Sequence, residues 1–553
     1  MTRVTASRLH RFTTSPLYCV ALSLVVALAL SLVVALALPR TVHAQGTEWN
    51  EATVGSDWEL YARALAARGM LSDEPWAIRP FSPAVLDKWS ASLSAAHPWK
   101  DRLPQRTTAP KTFELLRPSV EISGNSAYAW GSNDGPVWQG KGVNAWATMG
   151  AVWRWGHISA RFEPLVEYAQ NEAFQLETVP KSAANPYVDA QTPTSIDLPQ
   201  RMGSGAYHVI DPGNSYIRID AKSVGAGFST EDLFWGPGVR NALLFGPNAA
   251  GFPHLFFGTN QAVATPIGRF SGQVIYGRLQ ESDLAPPNHG SERLGAGLIV
   301  AWQLPSIPVT VGLDRFYHRA WPTHWSSADY TLPFGAFFSS QASSTTGTNA
   351  DNQLASVFFS ARAASIGFEV FGEFGKNDRN SSVRDLTVEP ESNSAWLLGF
   401  LKVIGLDSTH ADFWEVRGEV ADARVPELQA LGRGQSTFYD HSIITQGHTE
   451  AGQLLGTPLI ERSGGAEFAV DHFTSRGRLG VTLTERQMPP DLGVGMPADS
   501  ARSQWDLGVG GTIFHGSNDY TFQVGHVWDI DRFPGQDVGN IYLRLGMRVG
   551  RGH

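Results

Sequence analysis

The stretch ISARFEPLVEYAQ, residues 158–170, indicates the class of fold. Its apolar and polar residues alternate, so that Phe162 and Val166 lie on one side of an extended chain and Arg161 and Glu167 on the other. Period-two alternation is typical of a β-strand with one apolar and one polar face. The same rhythm continues in YIRIDAK (216–222), FWEVRGEV (413–420), RGRLGVTLTER (476–486) and NIYLRLGMRV (540–549).

Strands of this kind build soluble β-sandwiches as well as membrane β-barrels. The alternation runs from about residue 115 to residue 549, which is too long for one sandwich. Charged residues of both signs lie on the polar face, as in the lumen of a barrel. We therefore predict an all-β membrane barrel whose sheet closes, because every backbone polar group in lipid must be paired. At roughly 24 residues per strand and connection, this length supplies about 16 to 20 antiparallel strands.

Tryptophans cluster near the predicted strand ends, where outer-membrane barrels carry an aromatic girdle at each interface between lipid and water. The tryptophans assigned to such girdles are Trp138, Trp146, Trp153, Trp155, Trp302, Trp414 and Trp528. Their positions support the membrane barrel over the soluble sandwich.

Residues 1–44 are predicted to be a secretory signal peptide. Three arginines precede an apolar stretch from Leu17 to Leu38, and cleavage is expected after Ala44. An uncleaved membrane anchor is the alternative, because this 22-residue stretch is also long enough to span a bilayer. The single cysteine, Cys19, lies inside the segment, so the mature chain is expected to contain no disulfide, thiol nucleophile or cysteine-based metal site.

Charge and hydropathy narrow the function classes further. The whole chain carries a net charge of −9, and the predicted signal contains four arginines and no acidic residue, so the mature chain carries −13. This charge argues against nucleic acid as a partner. No apolar run of 18 residues follows the signal, so no later membrane helix is predicted. We expect a monomer in the bacterial outer membrane, with membrane lipid as a partner.

The region between the signal and the barrel lacks the two-residue rhythm. Ser56 is predicted to cap a helix that stops at Gly69, and Ser82 to begin a second helix that ends before Pro98. Helices this short need another surface on which to bury their apolar faces. Residues 101–118 are interpreted as a linker. The predicted domains are the signal at 1–44, a small α-helical periplasmic segment with its linker at 45–110, and the barrel at 111–553.

The stretch DLFWGPGVRNALLFGPNAAGFPHLFF, residues 232–257, is apolar but rich in glycine and proline. Such a composition is unfavourable inside a helix or a strand. Irregular backbone at membrane depth is tolerated where protein or water shields it, so we predict an inward-turning segment near residues 231–260. We interpret its Trp-Gly-Pro-Gly sequence as a packing corner that plugs the lumen, with direct ligand contact as the alternative.

Three pieces of the sequence, in the same order along the chain, resemble the capsule assembly Wzi family of outer-membrane β-barrels. The matches in the first piece are Trp235, Gly236, Pro237, Gly238, Leu243, Asn248, Ala249 and Pro253. Residues 54–89 are similar to the family's N-terminal helical segment, and YDHSIITQGHTEAGQLLG (439–456) is similar to its late histidine and glycine element. The resemblance implies an 18-stranded barrel that is plugged by loops and by a periplasmic helical element. It also implies a lectin-like role that holds capsular or extracellular polysaccharide at the cell surface.

Long polar insertions are the predicted external loops, at residues 171–214, 317–352, 377–394, 432–456 and 487–503. A polysaccharide would stack on aromatic rings beside polar groups. The candidate glycan-binding residues are Tyr317, Arg319, Trp321, Trp325 and Tyr330. For an acidic polymer, Arg315 and Arg319 could pair with uronate carboxylates. The alternative is a self-packed loop whose aromatic side chains bury one another.

The sequence gives little support for catalysis. It shows neither an H-E-x-x-H metal motif nor a G-x-S-x-G nucleophile motif. Glu369 and Glu373 share a strand face, as do Glu415 and Glu419, and lumen-facing charges explain both pairs more simply than an acid–base pair. We expect no enzyme, no cofactor and no metal. The competing functions are a porin-like diffusion channel and an outer-membrane enzyme that acts on lipid or glycan.

Overall fold

Exposure along the strands follows the alternation of the sequence. In the strand Ile158–Phe162, the side chain of Phe162 is 64% exposed, whereas Arg161 is 8% exposed. In the strand Leu165–Ala169, Val166 is exposed and Glu167 is buried. Here the apolar side chains point away from the protein and the charged side chains point into it, as expected for a wall that faces lipid.

The structure, a computed structural model, describes residues 52–93, 97–102, 111–181, 183–286, 292–332, 334, 351–377, 393–406, 412–423, 438–461, 463–487 and 502–550. The predicted signal peptide lies outside these residues, as do residues 378–392 and 488–501 of two predicted loops. The described strand segments are β1 (Ile78–Arg79), β2 (Lys111–Leu115), β3 (Ser119–Asn125), β4 (Gly142–Thr148), β5 (Ala151–Trp155), β6 (Ile158–Phe162), β7 (Leu165–Ala169), β8 (Tyr207–Asp211), β9 (Tyr216–Ala221), β10 (Val224–Ser229), β11 (Phe234–Trp235), β12 (His254–Thr259), β13 (Val263–Thr265), β14 (Gly268–Gln280), β15 (Glu292–Gln303), β16 (Val309–Ala320), β17 (Asp351–Ala363), β18 (Phe368–Asn377), β19 (Ser394–Ile404), β20 (Phe413–Asp422), β21 (Thr449–Glu450), β22 (Gln453–Leu454), β23 (Gly464–Thr474), β24 (Gly477–Gln487), β25 (Ser503–His515), β26 (Asn518–Phe533) and β27 (Gln536–Arg548).

Twenty-three of these segments form one closed antiparallel barrel. Closure comes from the last strand, β27, which pairs with β3 near the start of the barrel. Five pairs of consecutive segments (β2 with β3, β4 with β5, β6 with β7, β8 with β9, and β12 with β13) continue one another along the wall, so the described wall contains 18 strands. The predicted fold class and strand number are confirmed.

The two ends of the barrel differ in the length of their connections. One end carries short turns, at residues 156–157, 222–223, 266–267, 304–308, 364–367, 475–476 and 516–517. The connections at the other end are mostly long, including residues 126–141, 170–206 and 230–253. We call these the short-turn end and the long-loop end.

The two predicted helices are present: α1 spans Asp57–Ala67 and α2 spans Pro83–Ser92. The side chain of Ser56 accepts a hydrogen bond from the backbone N–H of Glu59, and the side chain of Ser82 accepts one from that of Val85. A third helix, α3, is a single turn at Ser327–Tyr330. Within the described residues, no helix is long and apolar enough to cross a membrane.

Helices α1 and α2 find their packing surface inside the barrel. Trp58, Tyr61 and Trp76 belong to the same apolar core as Phe413 and Phe473 of the wall. This N-terminal region lies towards the short-turn end, where the indole N–H of Trp99 donates to the carbonyl of Thr474. The core of this protein therefore fills the lumen, because the outer face of the wall is reserved for lipid.

Three details of the sequence interpretation are wrong: the positions of Trp146 and Trp138 and the extent of the linker. Trp146 points inward and is buried with Val137 and Leu165, because the register of β4 places Val143 and Ala145 on the outer face. Trp138 lies on the inner side of a loop, where its indole N–H donates to Asn171. Trp153, Trp155, Trp414 and Trp528 are exposed as predicted, and Trp302 also belongs to the outer face. The predicted linker at 101–118 is too long, since residues 111–115 already form β2.

Candidate functional site

The Trp235-Gly236-Pro237-Gly238 sequence forms a buried corner inside the lumen. Strand β11 pairs with β1, and the backbone N–H of Gly236 donates to the carbonyl of Ala77 at 3.0 Å. The indole N–H of Trp235 donates to Gln273 on the wall at 3.1 Å. Gly236 has a φ of +114°, and a Cβ atom there would meet the Glu373 carboxylate at 2.8 Å. Glycine is therefore required where the corner approaches the wall.

Two buried arginines from the N-terminal region hold the carbonyls of this corner. Arg63 donates to the carbonyl of Pro237 at 2.6 Å and to that of Gly238 at 3.0 Å. The same guanidinium makes a bidentate ion pair with Glu369 on β18, with N–O distances of 3.0 and 3.1 Å. Arg79 donates to the Gly238 carbonyl at 2.7 Å. Arg63 thus joins three parts of the chain: helix α1, the corner and the barrel wall.

Carboxylates of the wall hold the backbone that follows the corner. Glu419 on β20 accepts from the backbone N–H of Val239 at 2.6 Å and from the side chain of Asn241 at 2.7 Å. Glu373 on β18 accepts from the N–H of Leu243 at 3.2 Å. Glu373 and Glu419 each belong to one of the two pairs that the sequence offered as possible acid–base groups, and both form hydrogen bonds that fix the inward segment.

The late histidine and glycine element packs against the same segment. The hydroxyl of Tyr439 donates to the carbonyl of Leu243 at 2.9 Å, and Nε2 of His448 lies 2.6 Å from the carbonyl of Leu244. Burial lowers the pKa of His448 to about 4, so the ring is neutral and donates through Nε2. Residues 52–102, 230–253 and 438–461, as far as they are described, together form what we call the plug.

Asn248 and Pro253, the remaining residues of the predicted corner motif, lie at the edge of the plug. The Asn248 side chain donates to the carbonyl of Leu454 at 3.1 Å and accepts from the N–H of Asn133 at 3.2 Å. The carbonyl of Pro253 accepts from the N–H of Arg278 on the wall at 3.0 Å. All six motif residues therefore contact protein, which is the arrangement expected of a packing corner.

The plug fills one half of the lumen more completely than the other. From β14 to β19, many inward side chains are apolar and belong to the core that includes the plug: Ile275, Leu279, Ile299, Phe316, Leu354, Phe358, Phe371, Leu397 and Leu401. From β24 to β27, most inward positions are polar or glycine, including Thr482, Arg486, Asp506, Gln523 and Arg544. We call these the packed half and the polar half.

Two cavities lie along the polar half. The turn-side cavity, of about 360 Å³, extends past Asp57 and Trp99 of the N-terminal region and is lined by charged groups of the wall such as Arg478 and Asp519. The mouth cavity, of about 190 Å³, lies towards the long-loop end. Both cavities are lined by Trp130, Gly131, Ser132, Asp134 and Gln139, so the loop between β3 and β4 separates them.

The mouth cavity combines aromatic rings with guanidinium groups. Its lining includes Tyr128, Trp130, Trp138, Arg486, Arg502 and Arg532. The guanidinium of Arg532 lies 3.9 Å from the centre of the Tyr128 ring, and that of Arg486 lies 4.5 Å from the centre of the Trp130 ring. Sequence reasoning missed this site, although the run YAWGSNDG (128–135), aromatic and turn-forming directly after a strand, was a usable signal.

The predicted glycan loop divides into an exposed part and a covered part. Trp321, Trp325 and Tyr330 are 37%, 42% and 63% exposed. The centre of the Trp325 ring lies 5.6 Å from that of Trp321 and 5.3 Å from that of Tyr330. We call these three residues the loop aromatic cluster. Tyr317 is buried, and Arg319 forms an ion pair with Asp329.

The loop aromatic cluster lies outside the wall rather than at the mouth of the lumen. Phe316 and His318 point inward to the plug, so Tyr317 and Arg319 belong to the outer face of β16. Arg315 shares this outer face and bonds to Gln353. The structure brings the three exposed aromatic residues together but separates them from the two buried ones, and neither arginine faces the lumen.

Among the residues that the structure describes, no cluster of three or more histidine, cysteine, aspartate or glutamate side chains could hold a metal ion. The buried charges of the wall are instead distributed in ion pairs, such as Arg417 with Asp471 and Arg478 with Asp471. The chemistry that the described side chains offer is hydrogen bonding, ion pairing and ring stacking.

Comparison with known proteins assigns the chain to a family. The family model "Capsule assembly protein Wzi" matches residues 119–528, which is most of the barrel. The chain is also similar in structure to Wzi of Escherichia coli, described as a carbohydrate-binding outer-membrane β-barrel involved in group 1 capsule assembly. The two share 13% sequence identity and a TM-score of 0.59, and the similarity covers 89% of this chain and 98% of that one. At that identity the likeness supports the fold.

Other solved barrels are more distant. OccAB3 of Acinetobacter baumannii has 9% identity and a TM-score of 0.36, with 78% of this chain and 98% of that one covered. OccK9 of Pseudomonas aeruginosa has 9% identity and a TM-score of 0.38, with 79% and 98% covered. No match was found among proteins with curated descriptions.

Proposed function

Because this chain belongs to the capsule assembly protein Wzi family and is a bacterial outer-membrane β-barrel, we propose that it binds capsular or extracellular polysaccharide at the cell surface and holds it there. The long-loop end faces the outside of the cell, as in other outer-membrane barrels, and the N-terminal helices face the periplasm. Membrane lipid surrounds the wall, and the protein acts as a monomer.

The mouth cavity is the observation that carries this proposal. Sugars bind by stacking their C–H faces on aromatic rings while planar polar groups bond to their hydroxyls. Tyr128, Trp130 and Trp138 supply rings, and Gln200 and Gln453 supply amides in the same cavity. Its volume of about 190 Å³ has room for one sugar unit of a longer chain rather than for a whole oligosaccharide.

The plug favours retention of the polysaccharide over its transport through the barrel and over catalysis. A polymer that enters the mouth cavity meets the loop that contains Gly131 and Ser132, beyond which lies the turn-side cavity. The glutamates that could have served as acid and base are held by other groups: Glu373 and Glu419 by the inward segment, Glu369 by Arg63 and Glu415 by Arg417. The site binds a glycan and carries out no reaction on it.

The loop aromatic cluster is a second candidate surface for the same polymer. Trp321, Trp325 and Tyr330 present their rings on the outer side of the wall beyond β16. Arg278 lies 6.0 Å from the centre of the Trp321 ring, and the hydroxyl of Tyr276 bonds to the carbonyl of Tyr330. These contacts hold the exposed rings in place, so little side-chain entropy is lost when a sugar stacks on them.

Substitution of the two tryptophan sites tests the proposal. We expect Trp130→Ala, and the double variant Trp321→Ala with Trp325→Ala, to reduce cell-associated polysaccharide several-fold while the secreted polymer remains, because each lost ring removes about 0.5 to 1.5 kcal/mol of contact. The matched control is Trp155→Ala, which removes an exposed ring of the outer wall at the short-turn end. Cell-bound and released polysaccharide are quantified after centrifugation. Unchanged attachment in both test variants contradicts the proposal.

A diffusion channel is distinguished by conductance. Arg63 joins the N-terminal part of the plug to the corner and to the wall, so we expect the purified protein to show no steady ion current in planar lipid bilayers. A steady current through the wild-type protein would favour the channel over polysaccharide retention.

A further inference from the structure

Arg486 differs from the other arginines of the mouth cavity. It points inward from β24 near the long-loop end, and its side chain is 6% exposed. Among the described residues it makes no hydrogen bond and no ion pair, and its contact with a neighbouring group is the stacking of its guanidinium on the Trp130 ring. Its Nε atom is buried without a partner. Arg486 is nevertheless one of the residues that line the cavity.

The neighbouring arginines are already neutralised. Arg502 bonds to both oxygens of Asp529 at 2.8 Å and to Glu177 at 2.6 Å. Arg532 pairs with Asp529 at 2.7 Å. Because those charges are satisfied within the protein, an incoming anion gains most from Arg486.

A buried guanidinium without an ion-pair partner costs folding free energy, since arginine stays protonated and has lost its hydration. Among the acidic groups near Arg486, Glu461 has the strongest electrostatic interaction with it, but the two form no ion pair in the described structure. Burial raises the pKa of the Glu461 carboxyl, which reduces its capacity to balance the charge. The guanidinium of Arg486 lies over the Trp130 ring and forms no ion pair with a described residue, so its N–H groups remain available to a carboxylate, which arginine recognises by two parallel hydrogen bonds.

A second group in the cavity, the side-chain oxygen of Gln504, lacks a hydrogen-bond donor. The side-chain N–H of Gln504 donates to Asp529 at 2.7 Å, but its Oε1 is buried and accepts no hydrogen bond. Gln504 and Arg486 line the same cavity. A ligand that satisfies both must carry an anionic acceptor and a hydroxyl donor, a combination that inorganic sulfate lacks.

We propose that Arg486, backed by Trp130, binds the carboxylate of a uronic acid residue in the polysaccharide, while Gln504 accepts a hydrogen bond from one of its hydroxyls. This inference rests on the proposed function and gives the substrate class of its mouth site: an acidic glycan. It places acid recognition inside the mouth of the barrel, not at Arg315 and Arg319 on the outer face.

The test is calorimetric titration of the purified barrel in detergent with four probes: D-glucuronate, D-galacturonate, D-glucose and inorganic phosphate. We expect the wild-type protein to bind the better uronate at least about tenfold more tightly than glucose, because glucose lacks the carboxylate of a charge-assisted bidentate contact. Phosphate should also bind more weakly than the uronate, because it has no sugar ring to stack on the aromatic side chains of the cavity. Arg486→Gln should lose this preference. The matched control is Arg476→Gln, which removes an exposed charge from the short-turn end of the same hairpin and should retain it.

Several results would overturn the inference: equal affinity for uronate and glucose, phosphate binding as tight as uronate binding, or wild-type affinity in Arg486→Gln. The comparison of probes on the wild-type protein needs no variant, so it stands even if Arg486→Gln folds poorly. Cell attachment of the polymer is measured in parallel. Attachment without uronate preference rejects the acidic subsite alone, whereas absence of attachment rejects the proposed function itself.

Discussion

The packed half and the polar half of the lumen are built from the same kind of strand but serve different purposes. From β14 to β19, apolar inward side chains such as Phe371 and Leu401 pack against the plug. From β24 to β27, inward threonine, glycine, arginine and aspartate line two cavities. The difference shows that the plug packs against one side of the barrel, whereas the other side keeps the polar cavities where we propose that the glycan binds.

The contrast also explains why the two-residue rhythm weakens in the middle of the chain. A strand that faces lipid outside and the plug inside needs apolar residues on both faces, as in GAGLIVAW at residues 295–302. The interpretation that polar side chains face inward therefore holds best for the polar half. In the packed half, some of the inward charges bind the plug, as at Glu369 and Glu373.

The largest effect is expected from Arg63→Ala. The change leaves Glu369 buried without its partner and frees the carbonyls of Pro237 and Gly238, so the barrel should lose about 3 to 5 kcal/mol of unfolding free energy. Urea unfolding in detergent micelles, followed by tryptophan fluorescence, measures the loss. Arg154→Ala is the control, because it breaks a more exposed pair with Asp87 and should cost at most about 1 kcal/mol. Equal losses in the two variants would show that Arg63 does not anchor the plug.

The second prediction concerns the loss of stability at acidic pH through His448, which packs against the packed half. His448 has a pKa of about 4 when folded and about 6.5 when unfolded, so the unfolded chain binds more protons between these values. Stability contributed by the neutral ring is present above pH 6.5 and is lost as the pH falls to about 4, by about 3 kcal/mol. Replacing His448 with Gln, whose amide can still donate to Leu244, should flatten this part of the stability profile. Superimposable wild-type and His448→Gln profiles between pH 6.5 and 4 would contradict the assignment.

A smaller effect is expected from Gly238→Ala in the corner. A Cβ atom at this position would lie 1.8 Å from the carbonyl oxygen of Asn241, so the backbone must shift, at a cost of about 1 to 3 kcal/mol. Gly246→Ala is a matched control in the same segment, because a Cβ atom there meets no atom within 4 Å. The thermal midpoint of each variant in detergent should fall for Gly238→Ala and change little for Gly246→Ala. The reverse order would show that the corner is not tightly packed.

The smallest effect is expected in the polar half. Thr482 lines the turn-side cavity on β24, and Thr482→Val keeps its shape while removing the hydroxyl. The change in unfolding free energy should stay within about 0.5 kcal/mol, since the site is neither tightly packed nor linked to the plug. A loss larger than 1 kcal/mol, measured by the same urea titration, would remove the distinction between the two halves.

The sequence predicted the parts of the molecule that depend on local pattern. Alternation in ISARFEPLVEYAQ indicated a wall, and Ser56 and Ser82 marked the helix starts that the structure contains. The glycines and prolines of the corner indicated that it leaves the wall. The orientation of Trp146 was predicted wrongly, because a one-residue difference in register changes the face on which a side chain lies.

The sequence by itself determined a closed, lipid-facing sheet, because apolar and polar residues that alternate over this length have no other way to satisfy the backbone in a membrane. Only the tertiary structure decided where the lumen is filled and where it stays open. Arg63 and Glu369 are more than 300 residues apart in the chain, and Trp130 and Arg486 more than 350. Contacts over such separations leave no periodic signal, so neither the anchor of the plug nor the mouth cavity could be found before the barrel had closed.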